Sequence, residues 1–199
     1  MFYYLDGMVT IIEPNLAVVD CGGVGYACRT TARTLSFLEV GKKARLYTYC
    51  HIKEDIFDIY AFHDMGEKRC FEMLLSVSGV GPKAALAILS ACSAEEIAMA
   101  VINNDDKTLT RAQGVGKKLA QRIVLELKDK MSKEAGDMKM SGGFVPQAGV
   151  TGSVVSDASA ALAVLGFTQG EISAAMRHID TDNMTTEEII KAVLKNTMK

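Results

Sequence analysis

The chain has 199 residues, a net charge of −2 and a hydrophobic content of 49%. This apolar content is ample for packed cores and excludes wholesale disorder, and the length allows one domain or several small ones. The longest apolar runs, residues 97–102 and 158–165, are far shorter than the roughly 20 residues of a membrane span, so no membrane partner is expected.

The five cysteines are odd in number, scattered and never spaced as C-x-x-C. This pattern predicts reduced core thiols and disfavours a disulfide framework or a zinc site. The three histidines are isolated and are expected to be structural. The first residues lack the basic segment and small-residue cleavage site of a secretory signal. We therefore expect a cytoplasmic protein that holds no metal and no cofactor.

The first 62 residues carry the signals of β structure. Their aromatic and β-branched runs predict strands at residues 3–12, 16–20, 26–30, 44–51 and 56–62. The glycines of Gly22-Gly23-Val24-Gly25 supply the positive φ that a tight hairpin needs. About five short strands joined by glycine turns predict a small barrel such as an OB-fold.

A charged tripeptide, Lys53-Glu54-Asp55, lies in the predicted turn between the last two strands. One interpretation of this turn is an ordinary solvated β-turn. The other is a projecting acidic tip that repels phosphates. The two carboxylates have no metal-ligand cluster beside them in the sequence, so they are not predicted to be catalytic.

The middle of the chain is predicted to be helical and holds a concentration of basic charge. Residues 107–130 contain seven basic residues against two acidic ones, whereas the flanking parts of the chain have a slight acidic excess. Ser93-x-x-Glu96 is a capping box, which predicts the start of a helix. Residues 118–131 place their apolar side chains on one face, as is typical of an amphipathic helix.

Two stretches of this helical segment match at an offset of 35 residues. Both contain Gly-Val-Gly, at residues 79–81 and at residues 114–116. The flanking apolar, basic and small residues also coincide: Leu74 with Leu109, Lys83 with Lys118, Ala85 with Ala120 and Ile88 with Ile123. Two matching copies are much stronger evidence for a binding motif than a single G-x-G.

The doubled motif suits the phosphates of a DNA backbone. Two glycines allow a sharp turn between helices without a Cβ to block another backbone, while the valine points inward as an apolar plug. Amides at the start of the following helix, together with its dipole, favour an anion. Such a site binds phosphates and reads no bases. The candidate phosphate-binding residues are Gly79, Val80, Gly81, Lys83, Gly114, Val115, Gly116, Lys117, Lys118 and Arg122.

Two other interpretations of the repeat are weaker. Ordinary tight turns between packed helices would explain neither the repetition nor the placement of the lysines. A dinucleotide-binding loop needs a strand before the glycines and the third glycine of G-x-G-x-x-G, and both copies lack these features.

The C-terminal part divides into a linker and a small helical region. Residues 136–155 are rich in Gly, Ser and Pro, which predicts a flexible linker. Three short helices fit into residues 156–199, with predicted N-caps at Ser156, Thr168 and Thr185, the last in a second capping box, Thr185-x-x-Glu188. So small a bundle is expected to be marginally stable or docked on a partner.

Several of these motifs occur together in one order. They are Leu5-x-Gly7, Gly22-Gly23-Val24-Gly25-Tyr26, Lys53-Glu54-Asp55, Tyr60-x-Phe62 and the two Gly-Val-Gly hairpins with their lysines. In this combination the chain resembles, over nearly its whole length, the RuvA family of Holliday-junction-binding subunits of the bacterial branch-migration complex. The doubled hairpin also occurs in other DNA-binding proteins, but its combination with the glycine turn and the acidic pair is much more specific. Asp6 departs from the pattern, because a neutral or basic residue is expected beside Gly7.

The resemblance implies an OB-fold domain at residues 1–63, two helix-hairpin-helix motifs at residues 64–135, and a mobile three-helix, UBA-like domain at residues 156–199. It implies a homotetramer, with an octamer on DNA left open, that holds a four-way junction open and square for recombination and repair. Glu54 and Asp55 would form an acidic pin at its centre. The implied protein partners are the RuvB motor ATPase and the RuvC resolvase.

The resemblance also suggests where the motor binds and what the chain does not do. The candidate motor-binding residues lie in a predicted glycine C-cap and an apolar stripe, which from the residues alone also suits a core: Leu165, Gly166, Phe167, Ile189, Ile190, Val193 and Leu194. The chain lacks the nucleotide-binding pattern G-x-x-x-x-G-K-[ST], so we expect a DNA-binding subunit and no enzyme.

Two rival functions share the hairpins. A helix-hairpin-helix DNA glycosylase would need a catalytic aspartate, for which Asp105, Asp106 and Asp137 are the candidates, but no apolar pocket wall surrounds them in the sequence. A duplex-binding accessory subunit of a repair enzyme would need neither a tetramer nor an acidic centre.

Overall fold

A computed structural model describes residues 1–137, 154–177, 179–181 and 184–196. The N-terminal part is a closed five-stranded barrel with the strand order β1-β2-β3-β5-β4, in which β3 and β5 pair in parallel. Its strands are β1 (Tyr4–Glu13), β2 (Leu16–Asp20), β3 (Gly25–Arg29), β4 (Lys43–Ile52) and β5 (Phe57–Phe62). The predicted OB-fold is confirmed, and each predicted strand is present to within about two residues. A short helix that the sequence did not predict, α1 (Ala32–Ser36), connects β3 to β4.

Two sets of glycines let the barrel close. A Cβ on Gly7 would lie 2.1 Å from the carbonyl oxygen of Asp20, so only glycine allows β1 and β2 to approach at this point. Gly22 and Gly23 have φ values of +70° and +94° in the turn between β2 and β3, as the sequence predicted. Asp6, the unexpected residue beside Gly7, forms an ion pair with Arg45 across β1 and β4.

The middle of the chain forms five helices, and the predicted capping box opens one of them. The helices are α2 (Met65–Leu75), α3 (Pro82–Ala91), α4 (Ala94–Ile102), α5 (Asp106–Leu109) and α6 (Lys117–Asp137). Ser93 and Glu96 exchange side-chain and backbone hydrogen bonds at the start of α4, which confirms the predicted box. Helix α6 continues two residues into the predicted linker, and residues 138–153 of that linker lie outside the described residues.

The C-terminal part forms the three predicted helices, α7 (Val154–Val164), α8 (Gln169–Met176) and α9 (Thr186–Asn196). Thr168 and Thr185 each cap a helix, as predicted, and the predicted capping box at Thr185 is confirmed. Thr168 also forms a capping box, with Glu171, which the sequence did not predict. The predicted N-cap at Ser156 is wrong, because α7 already begins at Val154. Gly166 ends α7 with a φ of +77°, and the amide of Phe167 donates to the carbonyl of Leu162, which is a Schellman motif.

The three C-terminal helices are docked on the middle helices and share one apolar core with them. Arg69 of α2 forms an ion pair with Glu171 at 2.9 Å and lies over the ring of Phe167, 4.3 Å from its centroid. A Cβ on Gly66 would come within 3.0 Å of Leu194, so glycine allows α9 to approach the start of α2. The hydrogen bonds from Arg69 lower the pKa of Glu171 to about 2. The structure therefore shows a docked position for the three-helix domain, which the family resemblance led us to expect to be mobile.

A buried carboxylate joins the barrel to the helices. Glu67 of α2 is 3% exposed and accepts hydrogen bonds of 2.5 Å from the hydroxyl groups of Thr31 and Thr34. The amide of His63 donates to the same Thr34 hydroxyl, and Asp64 caps α2. This network fixes the barrel against the first helix that leads to the hairpins.

Burial raises the pKa of Glu67 above its ordinary value of 4.5, and the threonine hydroxyls only partly oppose this effect. A raised folded-state pKa means that the folded chain binds the proton more tightly than the unfolded chain does. The wild type should therefore lose stability relative to Glu67→Gln as the pH rises from about 4.5 through the raised pKa of Glu67. Urea unfolding across this range measures the difference, with the exposed Glu39→Gln as the control; pH profiles that run parallel would contradict the prediction.

All five cysteines are free, and Cys28, Cys70 and Cys92 are buried, as expected for core thiols. Cys21 and Cys50 are only half-buried, so the expectation holds for them in part. Within the described ranges, no single helix is long and apolar enough to cross a membrane. Helices α3 and α4 taken together are long and apolar enough by length and composition alone, but the chain bends by 96° between them.

Candidate nucleic-acid interface

The two Gly-Val-Gly segments form hairpins with the same backbone geometry. The first connects α2 to α3 and the second connects α5 to α6. Gly79 and Gly114, which open the two tripeptides, have φ values of +87° and +81°. The amides of Val80 and Val115 donate to the carbonyls of Val77 and Ala112, both at 3.1 Å. The sequence repeat is therefore a structural repeat.

The residues that coincide in the two copies are buried at equivalent places. Leu74 and Leu109 are fully buried, and the two valines are only 7% and 5% exposed. The valines thus plug their turns from inside, as the sequence predicted. The other matched apolar positions are also fully buried, namely Ala85, Ala120, Ile88 and Ile123.

The outer side of each hairpin is open. A Cβ on Gly81 or on Gly116 would meet no atom of the described chain within 4 Å. No described side chain caps the start of α3, and Pro82 occupies its first turn, where an amide would have no helical partner. The exposed side chains of Lys83, Lys117 and Lys118 form no ion pair with any described residue. Open glycine backbone, a helix dipole and lysines without an ion-pair partner are features that favour an anion, and phosphate binding here stays a prediction.

Helix α6 of the second hairpin also supports the first hairpin. Arg122 donates to the carbonyl of Ser78 at 3.4 Å, and Glu126 accepts from the amide of Ser78 at 3.1 Å. Lys130 donates to the carbonyl of Ser76 at 2.8 Å. Arg122 was predicted beside the second hairpin, and the structure places its guanidinium beside Gly79 of the first. The roles of Glu126 and Lys130 were missed, although the regular i, i+4, i+8 spacing is a signal for one shared helix face.

Some of the basic side chains of this segment are engaged within the chain. Arg111 pairs with Glu96 at 3.4 Å, and Lys128 donates to the side-chain oxygen of Asn104 at 2.9 Å. The excess of basic residues in the sequence therefore overstates the charge that is available for a ligand.

The acidic pair lies at the tip of the β4–β5 hairpin. The amide of Lys53 donates to the carbonyl of Ile56 at 2.8 Å, which closes a two-residue turn with Glu54 and Asp55 at its end. Both acidic residues are exposed. Phe57, which follows the turn, is 63% exposed. The geometry agrees with a projecting acidic tip, whose role stays a prediction.

The candidate motor-binding residues are largely inside the docked structure. Leu165, Phe167, Ile189, Ile190, Val193 and Leu194 are at most 6% exposed, and Gly166 alone among the seven is exposed. In this conformation the apolar stripe is core. Motor binding through these side chains would need the three-helix domain to leave its docked position or to rearrange.

The aspartates considered for a glycosylase have structural roles where they can be described. Asp105 caps α5 and accepts hydrogen bonds from Lys107 and Thr108, which lower its pKa. Asp106 lies in the first turn of α5, and Asp137 is the last residue of α6. The arrangement offers no support for a base-excision site.

A barrel followed by two paired glycine hairpins defines a DNA-binding protein of the tandem helix-hairpin-helix class. Family comparisons agree: residues 71–129 match a SAM-like helix-hairpin-helix tandem, residues 1–61 the RuvA N-terminal domain and residues 153–198 the RuvA C-terminal domain. The chain belongs to the RuvA family.

Curated relatives cover the whole chain. It is 42% identical over 199 residues to the Holliday junction branch migration complex subunit RuvA of Acetivibrio thermocellus, with 98% of each chain covered. The protein of the same name from Ruminiclostridium cellulolyticum is 40% identical, with 98% of this chain and all of the relative covered. That from Thermoanaerobacter sp. is also 40% identical, with both chains fully covered.

Proposed function

We propose that this chain binds four-way DNA junctions without sequence preference, holds them open and recruits the RuvB ATPase for branch migration in recombination and repair. The observation that carries the proposal is the pair of equivalent glycine hairpins, open on their outer side and flanked by exposed lysines. The names of the curated relatives, which are subunits of a Holliday junction branch migration complex, support the same conclusion.

A homotetramer is the assembly that best suits this function. The barrel exposes large apolar side chains, including Tyr4, Met8 and Phe37, which are 48%, 42% and 55% exposed. Such residues support burial against further copies of the chain. Four copies would present two hairpins each to the arms of a junction. A second tetramer and the RuvC resolvase stay predicted partners, and the free thiols support the predicted cytoplasmic location.

The acidic tip supplies the second element of the proposed mechanism. Glu54 and Asp55 would act as the pin at the centre of the assembly. Their charge repels phosphates, so a continuous duplex is disfavoured there, whereas the open centre of a junction is tolerated. The hairpins thus provide attraction along the arms, and the tip provides selectivity.

Competition between a four-way junction and a linear duplex of equal length and sequence tests the proposal. We expect the junction to bind about a hundredfold more tightly at fixed salt, which corresponds to about 2.7 kcal/mol. A gel-shift titration measures this preference. Equal affinities would overturn junction recognition and favour the duplex-binding accessory subunit.

A further inference from the structure

The hairpins and the barrel meet at a groove whose barrel wall has been assigned no role so far. It is an open groove of about 920 Å³ between the barrel wall and α3. Its lining includes Lys83 from the first hairpin and Gly114 from the second. Arg29, Asp58 and Tyr60 line it from the barrel. Both predicted phosphate sites therefore open onto a surface that the barrel completes.

The barrel contributes one cation to this groove. Arg29 at the end of β3 forms an ion pair with Asp58 of β5, with 3.0 Å between Nε and Oδ1. The Arg29 side chain is 55% exposed, and that of Asp58 is 31% exposed. The described contacts engage only the Nε of the guanidinium, so its terminal N–H groups are available to a ligand.

The position of this pair connects the hairpins to the acidic tip. Asp58 lies three residues beyond Asp55 on the strand that leaves the tip. Three residues span at most about 10 Å, which is about three base steps of B-form DNA. Arg29 thus lines the same groove as the hairpin residues and pairs with the strand that leaves the acidic tip.

We propose that Arg29 is a further DNA-phosphate contact, which holds the strand that runs from the hairpins towards the junction centre, and that Asp58 positions it. The proposal rests on the proposed function. A guanidinium can bind a phosphate through two parallel N–H groups, and the carboxylate of Asp58 fixes the side chain while leaving these groups directed outward. Asp58 also offsets the positive charge, which limits binding to any duplex that enters the groove.

The two partners should have opposite effects on DNA binding. Arg29→Gln is expected to weaken junction binding about tenfold, and to reduce the slope of log affinity against log salt by about 0.9 for each phosphate that Arg29 neutralises. Asp58→Asn is expected to tighten binding about threefold, because it removes a charge that repels phosphate. If the ion pair had a purely structural role, both variants would lose stability and neither would bind the junction more tightly.

The barrel offers a matched control in Arg45→Gln. Arg45 is also 55% exposed and pairs with Asp6 at 2.7 Å, but it lies on the β1–β4 pair and is not among the groove residues. Gel shifts over a series of salt concentrations compare all variants with the wild type, and light scattering records their assembly. Equal losses for Arg29→Gln and Arg45→Gln, or no tightening by Asp58→Asn, would overturn the assignment. A wild type without junction preference would instead overturn the proposed function.

Discussion

The double variant Gly81→Ala with Gly116→Ala is expected to bind a four-way junction about a hundredfold more weakly than the wild type. A Cβ at either position meets no described atom within 4 Å, so each methyl group would project into the space that a DNA backbone must enter. Hydrogen bonds to a charged phosphate contribute about 1.5–3 kcal/mol, and a hundredfold loss corresponds to about 2.7 kcal/mol. Gel shifts measure the affinity, and thermal unfolding should show only a small change in Tm.

Gly79→Ala is the control that separates binding from folding. Gly79 has a φ of +87°, and a Cβ there would lie 3.3 Å from the guanidinium of Arg122. This variant should lose about 1–2 kcal/mol of stability, because an L-residue is strained in the left-handed region. If Gly81→Ala with Gly116→Ala were destabilised as much as Gly79→Ala, or retained full affinity, the open side of the hairpins could not be the phosphate site.

Neutralising the acidic tip should have the next largest effect. Glu54→Gln with Asp55→Asn is expected to bind linear duplex about thirtyfold more tightly, which corresponds to about 2 kcal/mol. The junction preference should fall accordingly. Four chains would bring several carboxylates close together at one point, where their repulsion of phosphates adds up. The same competition between junction and duplex measures the change at low and at moderate salt, and the difference should shrink as salt screens the charges.

Glu39→Gln with Glu187→Gln changes the net charge by the same amount and serves as the control. Both residues are exposed and lie outside the tip. If this variant tightened duplex binding as much as the tip variant, net charge alone would explain the effect. An unchanged duplex affinity in the tip variant would remove the repulsive role of Glu54 and Asp55.

The features that the sequence predicted best are local ones. The glycine turns, the capping boxes at Ser93 and Thr185 and the two hairpins each depend on residues a few positions apart, so short-range chemistry determines them. The inward position of Val80 also followed from the pattern, because an apolar residue between two turn glycines has only the core to pack against.

The features that the sequence could not predict depend on distant residues that meet in space. Arg122 belongs to the second hairpin by sequence but contacts the first, and the buried carboxylate of Glu67 accepts hydrogen bonds from Thr31 and Thr34 at helix α1. The docked position of the three-helix domain includes an ion pair between Arg69 and Glu171, which are more than a hundred residues apart. No periodicity or spacing encodes such a pair.

Docking of the three-helix domain weakens any interaction that a partner makes through its apolar stripe. A partner that binds only the undocked domain has an apparent affinity equal to its intrinsic affinity multiplied by the undocked fraction. Each 1.4 kcal/mol of docking energy therefore lowers the apparent affinity about tenfold. Helix α2 carries Arg69 and also leads into the first hairpin, so any DNA contact that disturbs this helix changes the fraction of undocked domain. By thermodynamic reciprocity, a partner bound to the undocked domain would change the DNA affinity by the same factor. The docking energy therefore determines how much partner is needed before the subunit binds it.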